Sequence, residues 1–246
     1  MKAIIKNIFK KLGLEIHRYT PGSSTSAQII SSLKKFEVDL VIDVGANLGQ
    51  FASEIRSNGY AGSIISFEPL SVAHARLQKL SERDTKWHVY PRCALGDHIG
   101  EVEINIAGNS ASSSLLPMLD SHLLAAPHTA YVGKESVSLL TLDSIASDYI
   151  SQFKNPFLKI DTQGYEWAIL DGALNTLPDI RGILLELSLV PLYEGQYLWR
   201  EVLERLEFFG FTLWAMQPEF IDPSDGRTLQ MNGIFFRITE PESQLK

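Results

Sequence analysis

The sequence predicts an α/β fold built on a mostly parallel sheet, and three features carry this prediction. An apolar run from Val38 to Val44, interrupted by two aspartates, is typical of a strand buried on both faces of a parallel sheet. A tight turn from Gly45 to Gly49 follows, and it leads into a helical pattern over Gln50–Asn58. A second apolar run, Ser63–Phe67, then begins the same order again. Strand, turn and helix in this order indicate βα units.

The remaining elements follow from local patterns of apolar residues and breakers. Helices are predicted over Ala27–Phe36, Val72–Leu80 and Tyr197–Phe209. Further strands are predicted over Trp87–Tyr90, Glu101–Ile106, Val137–Leu142, Phe157–Ile160, Ile183–Leu187, Phe211–Met216 and Gly233–Ile238. The stretch DPSDGR at Asp222–Arg227 is a turn signal, so we expect the last two strands to form an antiparallel edge hairpin.

Length and composition indicate one main domain with additions. A chain of 246 residues can build a single α/β domain with a substantial core. We expect a helical extension over residues 1–37 and the domain over residues 38–240. Residues 107–136 are rich in Ser and Ala and lack periodicity. Because such a stretch is long for a connection, an insertion that acts as a lid is expected there.

The charge and the cysteine content exclude several classes of protein. A net charge of −7 argues against a general nucleic-acid binder. The single cysteine, Cys93, excludes an intrachain disulfide framework and a cysteine-rich zinc site, and it fits a reducing compartment. No metal-ligand spacing is evident, so no metal is expected. Since no apolar stretch approaches the ~20 residues that span a bilayer, we expect a cytoplasmic protein.

The first twelve residues form a basic amphipathic pattern. Ile4, Ile8 and Phe9 fall on one helical face, and Lys2 and Lys6 fall on another. A helix of this kind binds at an anionic membrane surface. Docking of the same helix on the protein's own domain explains the pattern equally well. Both interpretations stay open, and the sequence gives no oligomeric state.

The turn after the first strand predicts a nucleoside site without a phosphate site. Its pattern is D-x-G-x-x-x-G, from Asp43 through Gly45 to Gly49, which differs from the dinucleotide fingerprint and from the Walker loop. Glu68 and Pro69 end the second strand, where a carboxylate can accept both hydroxyls of a ribose. Backbone groups near Ala94 and Leu95, after the third strand, are expected beside the base.

A second group of polar residues follows the strand Phe157–Ile160. Asp161 should emerge at the same edge of the sheet as Gly45, because parallel strands end at a common edge. Glu166 follows in the same loop, and it either contacts a substrate or belongs to a network of caps. Glu186 lies inside an apolar strand and needs a partner, for which Lys159 is one candidate.

Several motifs together resemble the FkbM-type methyltransferase family. They are VIDVGANLGQF, ISFEP, the run Ser112-Ser113-Ser114, LLTLDSI and LKIDTQGYEW, in the family's order from about Val38 to Ile238. The spacing from FEP to LKID-x-x-G-x-E is the most specific part. The resemblance implies a class I methyltransferase (Rossmann-like) three-layer sandwich with a seven-stranded sheet. It also implies S-adenosyl-L-methionine (AdoMet) as methyl donor and a hydroxyl acceptor on a sugar, another glycan or a polyketide-like small molecule.

The resemblance also assigns roles to residues. It implies donor binding by Asp43, Gly45, Asn47, Gly49 and Glu68, and it places Asp161 and Glu166 at the active edge. Our own candidates from the residues add Ala46, Pro69, Ala94 and Leu95 for the donor, and Ser113, Ser114 and Glu166 for the acceptor. Asp161 is our first candidate for the general base, and His122 and His128, from the insertion, are the second.

Two other functional classes remain open from the sequence. A module that binds AdoMet or another nucleoside without catalysis would keep the donor turn, but it would have no need of Asp161 and a lid. A nicotinamide-dependent oxidoreductase is less compatible, because the third glycine of its fingerprint is missing and Pro69 follows the acidic residue.

Overall fold

The computed structural model describes residues 9–14 and 18–238. Most of the predicted amphipathic helix Met1–Leu12 lies outside the described residues, and only its end, around Phe9–Lys11, is seen to be helical. No helix in the described ranges is both long and apolar enough to cross a membrane.

The described chain alternates strands and helices as predicted. The helices are α1 (Thr25–Lys35), α2 (Gln50–Ser57), α3 (Ser71–Ser81), α4 (Asp120–Ala125), α5 (Leu142–Tyr149), α6 (Glu166–Asp171) and α7 (Trp199–Phe208). The strands are β1 (Leu40–Val44), β2 (Ser63–Phe67), β3 (Trp87–Val89), β4 (Ala94–Leu95), β5 (Gly100–Ala107), β6 (Tyr131–Leu140), β7 (Pro156–Ile160), β8 (Gly182–Ser188), β9 (Thr212–Ile221) and β10 (Thr228–Phe236).

Seven strands form the main sheet, in the order β3-β2-β1-β7-β8-β10-β9. The first five of these run parallel to one another. β10 is antiparallel to both of its neighbours, β8 and β9. This confirms the predicted class I methyltransferase fold, a mostly parallel seven-stranded sheet with an antiparallel edge hairpin. The turn at Asp222–Arg227 joins the two strands of that hairpin.

Alternate residues of the central strands pack into cores on opposite faces of the sheet. Ile42 and Leu158 belong to the core under α5, α6 and α7. Val41 and Phe157 belong to the core under α1, α2 and α3. Both faces are therefore covered, as a parallel sheet requires. Helix α1, which the sequence placed in an extension, packs Ile29 and Leu33 into the second core.

The expected insertion is more ordered than its sequence indicates. The strand predicted at Val137–Leu142 instead runs from Tyr131 to Leu140, because β6 pairs with β5 over almost its whole length. β4, β6 and β5 form a separate three-stranded sheet. Between β5 and β6 lie a short 3₁₀ helix at Ser110–Ser112, helix α4, and another 3₁₀ helix at Pro127–Thr129. The sequence did not predict this second sheet, because local β-propensity does not show which distant segments pair with one another.

The main chain after β1 and the main chain after β7 lie in direct contact at the carboxyl edge of the sheet. The Asp161 N–H donates a hydrogen bond of 3.1 Å to the Val44 carbonyl. Gly45 has a φ of +73°, and a Cβ atom built on it would lie 1.8 Å from the Asp161 carbonyl oxygen. Only glycine fits both this conformation and this approach. The two loops predicted to carry the site are thus neighbours.

Candidate active site

A cavity of about 400 Å³ opens at this carboxyl edge, within the range of small-molecule sites. It brings together most of the residues that the sequence singled out. Those on its wall are Gly45, Ala46, Asn47, Glu68, Pro69, Ala94, Leu95, Ser113, Ser114 and Asp161. The loops after β1, β2 and β7 therefore converge on one space, as ligand sites of α/β folds do.

Glu68 fastens the glycine turn to the end of β2. One of its carboxylate oxygens accepts the Asn47 N–H at 2.7 Å, and the other accepts the Leu70 N–H at 2.8 Å. Burial raises the pKa of Glu68 to about 7, although the two N–H donors oppose this rise. Each carboxylate oxygen keeps a second lone pair for a ligand hydroxyl. Glu68 can thus order the turn and bind a ligand at once.

Lys159 is a buried cation behind the cavity, only 5% exposed. Its Nζ lies 3.0 Å from Asp43 Oδ1, 3.0 Å from the Gly45 carbonyl oxygen and 3.5 Å from Asp161 Oδ2. Burial alone would lower the pKa of Lys159, but the charges of Asp43 and Asp161 outweigh it and raise that pKa. The expectation that Lys159 pairs with Glu186 is wrong, since its ion pairs join β1 to the loop after β7.

Glu186 is held by amides instead. Gln163 Nε2 donates to Glu186 Oε2 at 2.6 Å, and Gln230 Nε2 lies 3.4 Å from the same oxygen. Burial, and then the charge of Asp161, raise the pKa of Glu186 well above its ordinary value. Asp161 itself is 38% exposed in its side chain and lies on the cavity wall. It is the more accessible of these two carboxyl groups.

Several predicted residues do not reach the cavity. Asp43 is fully buried and acts through Lys159. Gly49 is the N-cap residue before α2 and has a φ of +82°. It packs against Leu77, Leu80 and Trp87, so a Cβ atom there would clash with their side chains. Neither residue is on the cavity wall. In the structure Asp43 pairs with Lys159 and Gly49 shapes the turn, and their assignment to donor binding stays a prediction.

Glu166 also lies outside the cavity wall. Its Oε1 accepts hydrogen bonds from the main-chain N–H groups of Thr162 and Gly164, each at 3.1 Å, and is 3.3 Å from the Thr162 hydroxyl. Burial raises the pKa of Glu166 to about 7. This geometry favours the second of the two readings, in which Glu166 orders the loop that carries Asp161.

The two histidines of the insertion are also absent from the cavity wall. His122 is buried against Tyr193 and Phe220, and its Nδ1 has no partner among the described residues. Burial, and then His128, lower the pKa of His122 to about 4. His128 lies exposed in the 3₁₀ helix after α4. Neither side chain is positioned to take a proton from a molecule in the cavity.

The serines of the insertion line the cavity with hydroxyls that already have partners. Ser110 Oγ donates to Asn47 Oδ1 at 3.0 Å, and Ser114 Oγ donates to the Gln163 carbonyl at 2.7 Å. Ser113 Oγ accepts the Ala107 N–H at 3.0 Å. The segment Ser110–Ser114 therefore forms part of the cavity wall and ties the glycine turn to the loop after β7.

Sequence reasoning missed one whole side of the cavity. Its polar and apolar residues come from α1, α2, β9 and β10: Thr25, Ile29, Gln50, Phe51, Glu54, Gln217, Pro218, Glu219 and Asn232. The Glu219 Oε2 atom accepts a hydrogen bond of 2.8 Å from Asn232 Nδ2 across the hairpin. Gln50 and Phe51 end the motif VIDVGANLGQF, but no local pattern marks the others as cavity residues, because the packing of distant elements brings them together.

The cavity wall is rich in carboxyl groups and poor in cations. Five carboxyl groups line it, from Glu54, Glu68, Asp161, Glu186 and Glu219. Lys159 is the one cationic side chain on the described part of the wall, and its charge is already matched by Asp43 and Asp161. Within the described ranges, no group of three or more His, Cys, Asp or Glu residues is arranged to hold a metal ion.

Comparisons with known proteins agree with this geometry. The sequence profile of the methyltransferase FkbM domain matches residues 43–213. The chain is 25% identical over 200 residues to the 2-O-methyltransferase NoeI of Sinorhizobium fredii, a match that covers 79% of this chain and 81% of NoeI.

Two solved structures are more distantly similar. Magnesium protoporphyrin IX methyltransferase (ChlM) of Synechocystis PCC 6803, solved with bound SAM, has 10% identity and a TM-score of 0.46, over 87% of this chain and 78% of that one. Fibrillarin of Aeropyrum pernix, with natively bound S-adenosyl-L-methionine, has 11% identity and a TM-score of 0.44, over 79% and 66% of the two chains. The fold assignment rests on the strand order and the family match.

The buried ion pair gives a test of the site's framework. Lys159→Met leaves the Asp43 carboxylate buried without its cation, and such a loss typically costs about 3–5 kcal/mol. We expect urea denaturation to show a fall of this size in the free energy of unfolding. Lys134→Met is the matched control, because Lys134 and Glu103 form an exposed pair, worth at most about 1 kcal/mol. Equal effects of the two substitutions would contradict the buried pair.

Proposed function

Because this chain belongs to the FkbM-domain family of methyltransferases, we propose that it transfers a methyl group from AdoMet to a hydroxyl group of an uncharged, polyhydroxylated acceptor such as a sugar. The observation that carries the proposal is the convergence of Glu68, Asp161 and an acid- and amide-rich wall on one cavity. The family match covers residues 43–213, which include the glycine turn, Glu68 and the loop after β7 but not the hairpin residues Gln217, Glu219 and Asn232.

The donor half of the cavity fits AdoMet in its chemistry. Glu68 has one free lone pair on each carboxylate oxygen, which suits the two hydroxyls of a ribose. The buried apolar residues Ala94 and Leu95 lie on the same wall and suit a base. When bound, AdoMet supplies a methyl group already activated on a positively charged sulfonium. A wall with five carboxyl groups favours that charge over a neutral or anionic ligand.

Asp161 is our candidate for the general base. It lies on the cavity wall at the end of β7, and its Oδ1 accepts a hydrogen bond of 3.1 Å from Gln163 Nε2. Its Oδ2 has Lys159 Nζ at 3.5 Å, a longer contact that leaves this oxygen able to accept a proton. Removal of the hydroxyl proton as the new bond forms is the task that such a carboxylate performs.

We place the acceptor on the side of the cavity formed by β9 and β10, and the strand order supports this. The residues assigned to the donor follow β1 and β2, Asp161 follows the central strand β7, and the hairpin lies beyond β8. Glu54, Gln217, Glu219 and Asn232 offer carboxylates and amides, which hydrogen-bond hydroxyl groups well. Because no free cation stands on the described wall, an acceptor bearing phosphate, sulfate or carboxylate is disfavoured.

The acceptor class can be tested with labelled donor. Glycans and small metabolites from cells lacking the protein are separated into neutral and anionic fractions and incubated with the protein and methyl-labelled AdoMet. We expect the label to enter the neutral fraction, with a mass gain of one CH₂ per acceptor. Label confined to the anionic fraction would contradict the acceptor class, and no label in any fraction would contradict the proposed function.

The role of Glu68 predicts a pH dependence of donor binding. Only the ionised carboxyl can accept two main-chain N–H groups and ribose hydroxyls together, so protonation must weaken binding. Since the pKa of free Glu68 is raised to about 7, AdoMet affinity should fall on acidification below that pH, by up to about tenfold per unit. Isothermal titration at several pH values measures this directly.

The matched variant for this test is Glu68→Gln. It should bind AdoMet more weakly above pH 7, by roughly 1.5–3 kcal/mol for a lost charge-assisted hydrogen bond, and its affinity should no longer depend on pH in this range. Persistence of the same pH dependence in the variant would assign the titration to another group, such as Glu166, and would remove the ribose role from Glu68.

The role of Asp161 predicts a defect in transfer without a defect in donor binding. Asp161→Asn keeps the size of the side chain but cannot accept the proton, and loss of a general base typically costs about 10²–10⁴-fold in rate. Single-turnover transfer to the neutral fraction should fall by this factor, while AdoMet affinity stays within a few-fold. Asp97→Asn is the control, because Asp97 pairs with His98 at the surface. A wild-type rate in Asp161→Asn would reject Asp161 as the base.

A further inference from the structure

Gln163 adopts an unusual main-chain conformation beside the candidate base. It follows Asp161 by two residues, has a φ of +56° and is 8% exposed. Residues other than glycine rarely adopt this left-handed conformation, which is strained and persists where the surroundings enforce it. Gln163 is not on the cavity wall. We therefore attribute this main-chain conformation to the contacts that Gln163 makes within the protein.

The side-chain amide of Gln163 bridges two carboxyl groups. Its Nε2 donates to Asp161 Oδ1 at 3.1 Å and to Glu186 Oε2 at 2.6 Å. One amide nitrogen carries two hydrogens, so it can serve both acceptors. Asp161 lies in the loop after β7 and Glu186 lies in β8. Gln163 thus fixes the loop's carboxylate to the neighbouring strand.

Other contacts fix the amide itself. The Tyr193 hydroxyl donates to Gln163 Oε1 at 2.8 Å, and Ser114 Oγ donates to the Gln163 carbonyl oxygen at 2.7 Å. A rotated amide would turn its oxygen toward the two carboxyl groups and lose both of its donated hydrogen bonds. The neighbours therefore permit one orientation, in which the hydrogens face Asp161 and Glu186.

We propose that Gln163 is a positioning residue that acts through Asp161. By binding Oδ1, the Gln163 amide sets the side-chain torsion of Asp161 and leaves Oδ2 as the oxygen available to an acceptor hydroxyl. The same amide screens Asp161 from the nearby carboxyl group of Glu186. This inference rests on the proposed function, because it concerns the group that takes the acceptor's proton. Small errors in the placement of such a group are costly.

The bridge can be tested without any acceptor. In ¹⁵N-labelled protein, the side-chain amide signal of Gln163 is identified by its loss in Gln163→Met. We expect this signal to move in Asp161→Asn, because one of its two acceptors changes. The signal of Gln230 should stay in place, since that amide contacts Glu186 and Ser188 but not Asp161. An unmoved Gln163 signal would overturn the bridge.

The effect on catalysis is measured with Gln163→Met, which has similar length but no amide. Single-turnover transfer to the neutral fraction should fall by about 10²-fold, as for a misplaced catalytic group, while AdoMet affinity stays within a few-fold. Gln230→Met, which removes a buried amide from the other side of Glu186, should transfer methyl at nearly the wild-type rate.

A double-variant comparison separates positioning from simple loss of structure. In the Asp161→Asn background, Gln163→Met should lower the rate little further, because both substitutions act through the same oxygen. Additive losses, or a wild-type rate in Gln163→Met, would overturn the positioning role even if the amide signal moves. If the wild-type protein transfers no methyl at all, the proposed function fails and the catalytic role of Gln163 fails with it, while the amide signals still decide whether the bridge exists.

Discussion

The ion pair between Lys159 and Asp43 joins the two strands whose ends form the cavity, and the rest of the site depends on it. The two residues face each other in register on β1 and β7. Lys159 also holds the Gly45 carbonyl oxygen and lies beside Asp161, so one buried cation fixes the donor turn, the central strand and the candidate base together. The close approach of Gly45 to the Asp161 main chain is possible because these strands are held in this register.

This arrangement also determines the electrostatics of the cavity. Asp43 is buried outside the cavity wall and neutralises the charge of Lys159. Lys159 therefore offsets little of the negative charge of the carboxyl groups on the wall. Burial raises the pKa of Glu68, and burial together with the charge of Asp161 raises the pKa of Glu186. A cavity of this kind is compatible with the cationic donor and the uncharged acceptor that we propose. The amides of Gln163 and Gln230, rather than a cation, contact the buried carboxyl group of Glu186.

The sequence was sufficient to predict the main seven-stranded sheet and the part of the cavity that is built from local motifs. Strand, glycine turn and helix are patterns of adjacent residues, and Glu68, Ala94 and Asp161 each follow a predicted strand. Lys159 was offered as one candidate partner of Glu186, and this was wrong. Lys159 instead lies opposite Asp43, because β1 and β7 pair in a register that adjacent residues do not reveal. For the same reason, Thr25, Glu219 and Asn232 were not predicted to line the cavity. His122 was a candidate general base, but helix α4 directs its ring against the aromatic side chains of Tyr193 and Phe220.

The position of β10 between β8 and β9 has a consequence for the order in which a growing chain acquires its site. β9 is made before β10 but pairs with the main sheet only through it. The turn after β1, Glu68 and the loop after β7 can therefore come together while the ribosome is still completing the hairpin. Gln217, Glu219 and Asn232 reach the cavity only when β10 has emerged and inserted. During synthesis the side of the cavity formed by the loops after β1, β2 and β7 can thus assemble first, and the side formed by the hairpin is completed last.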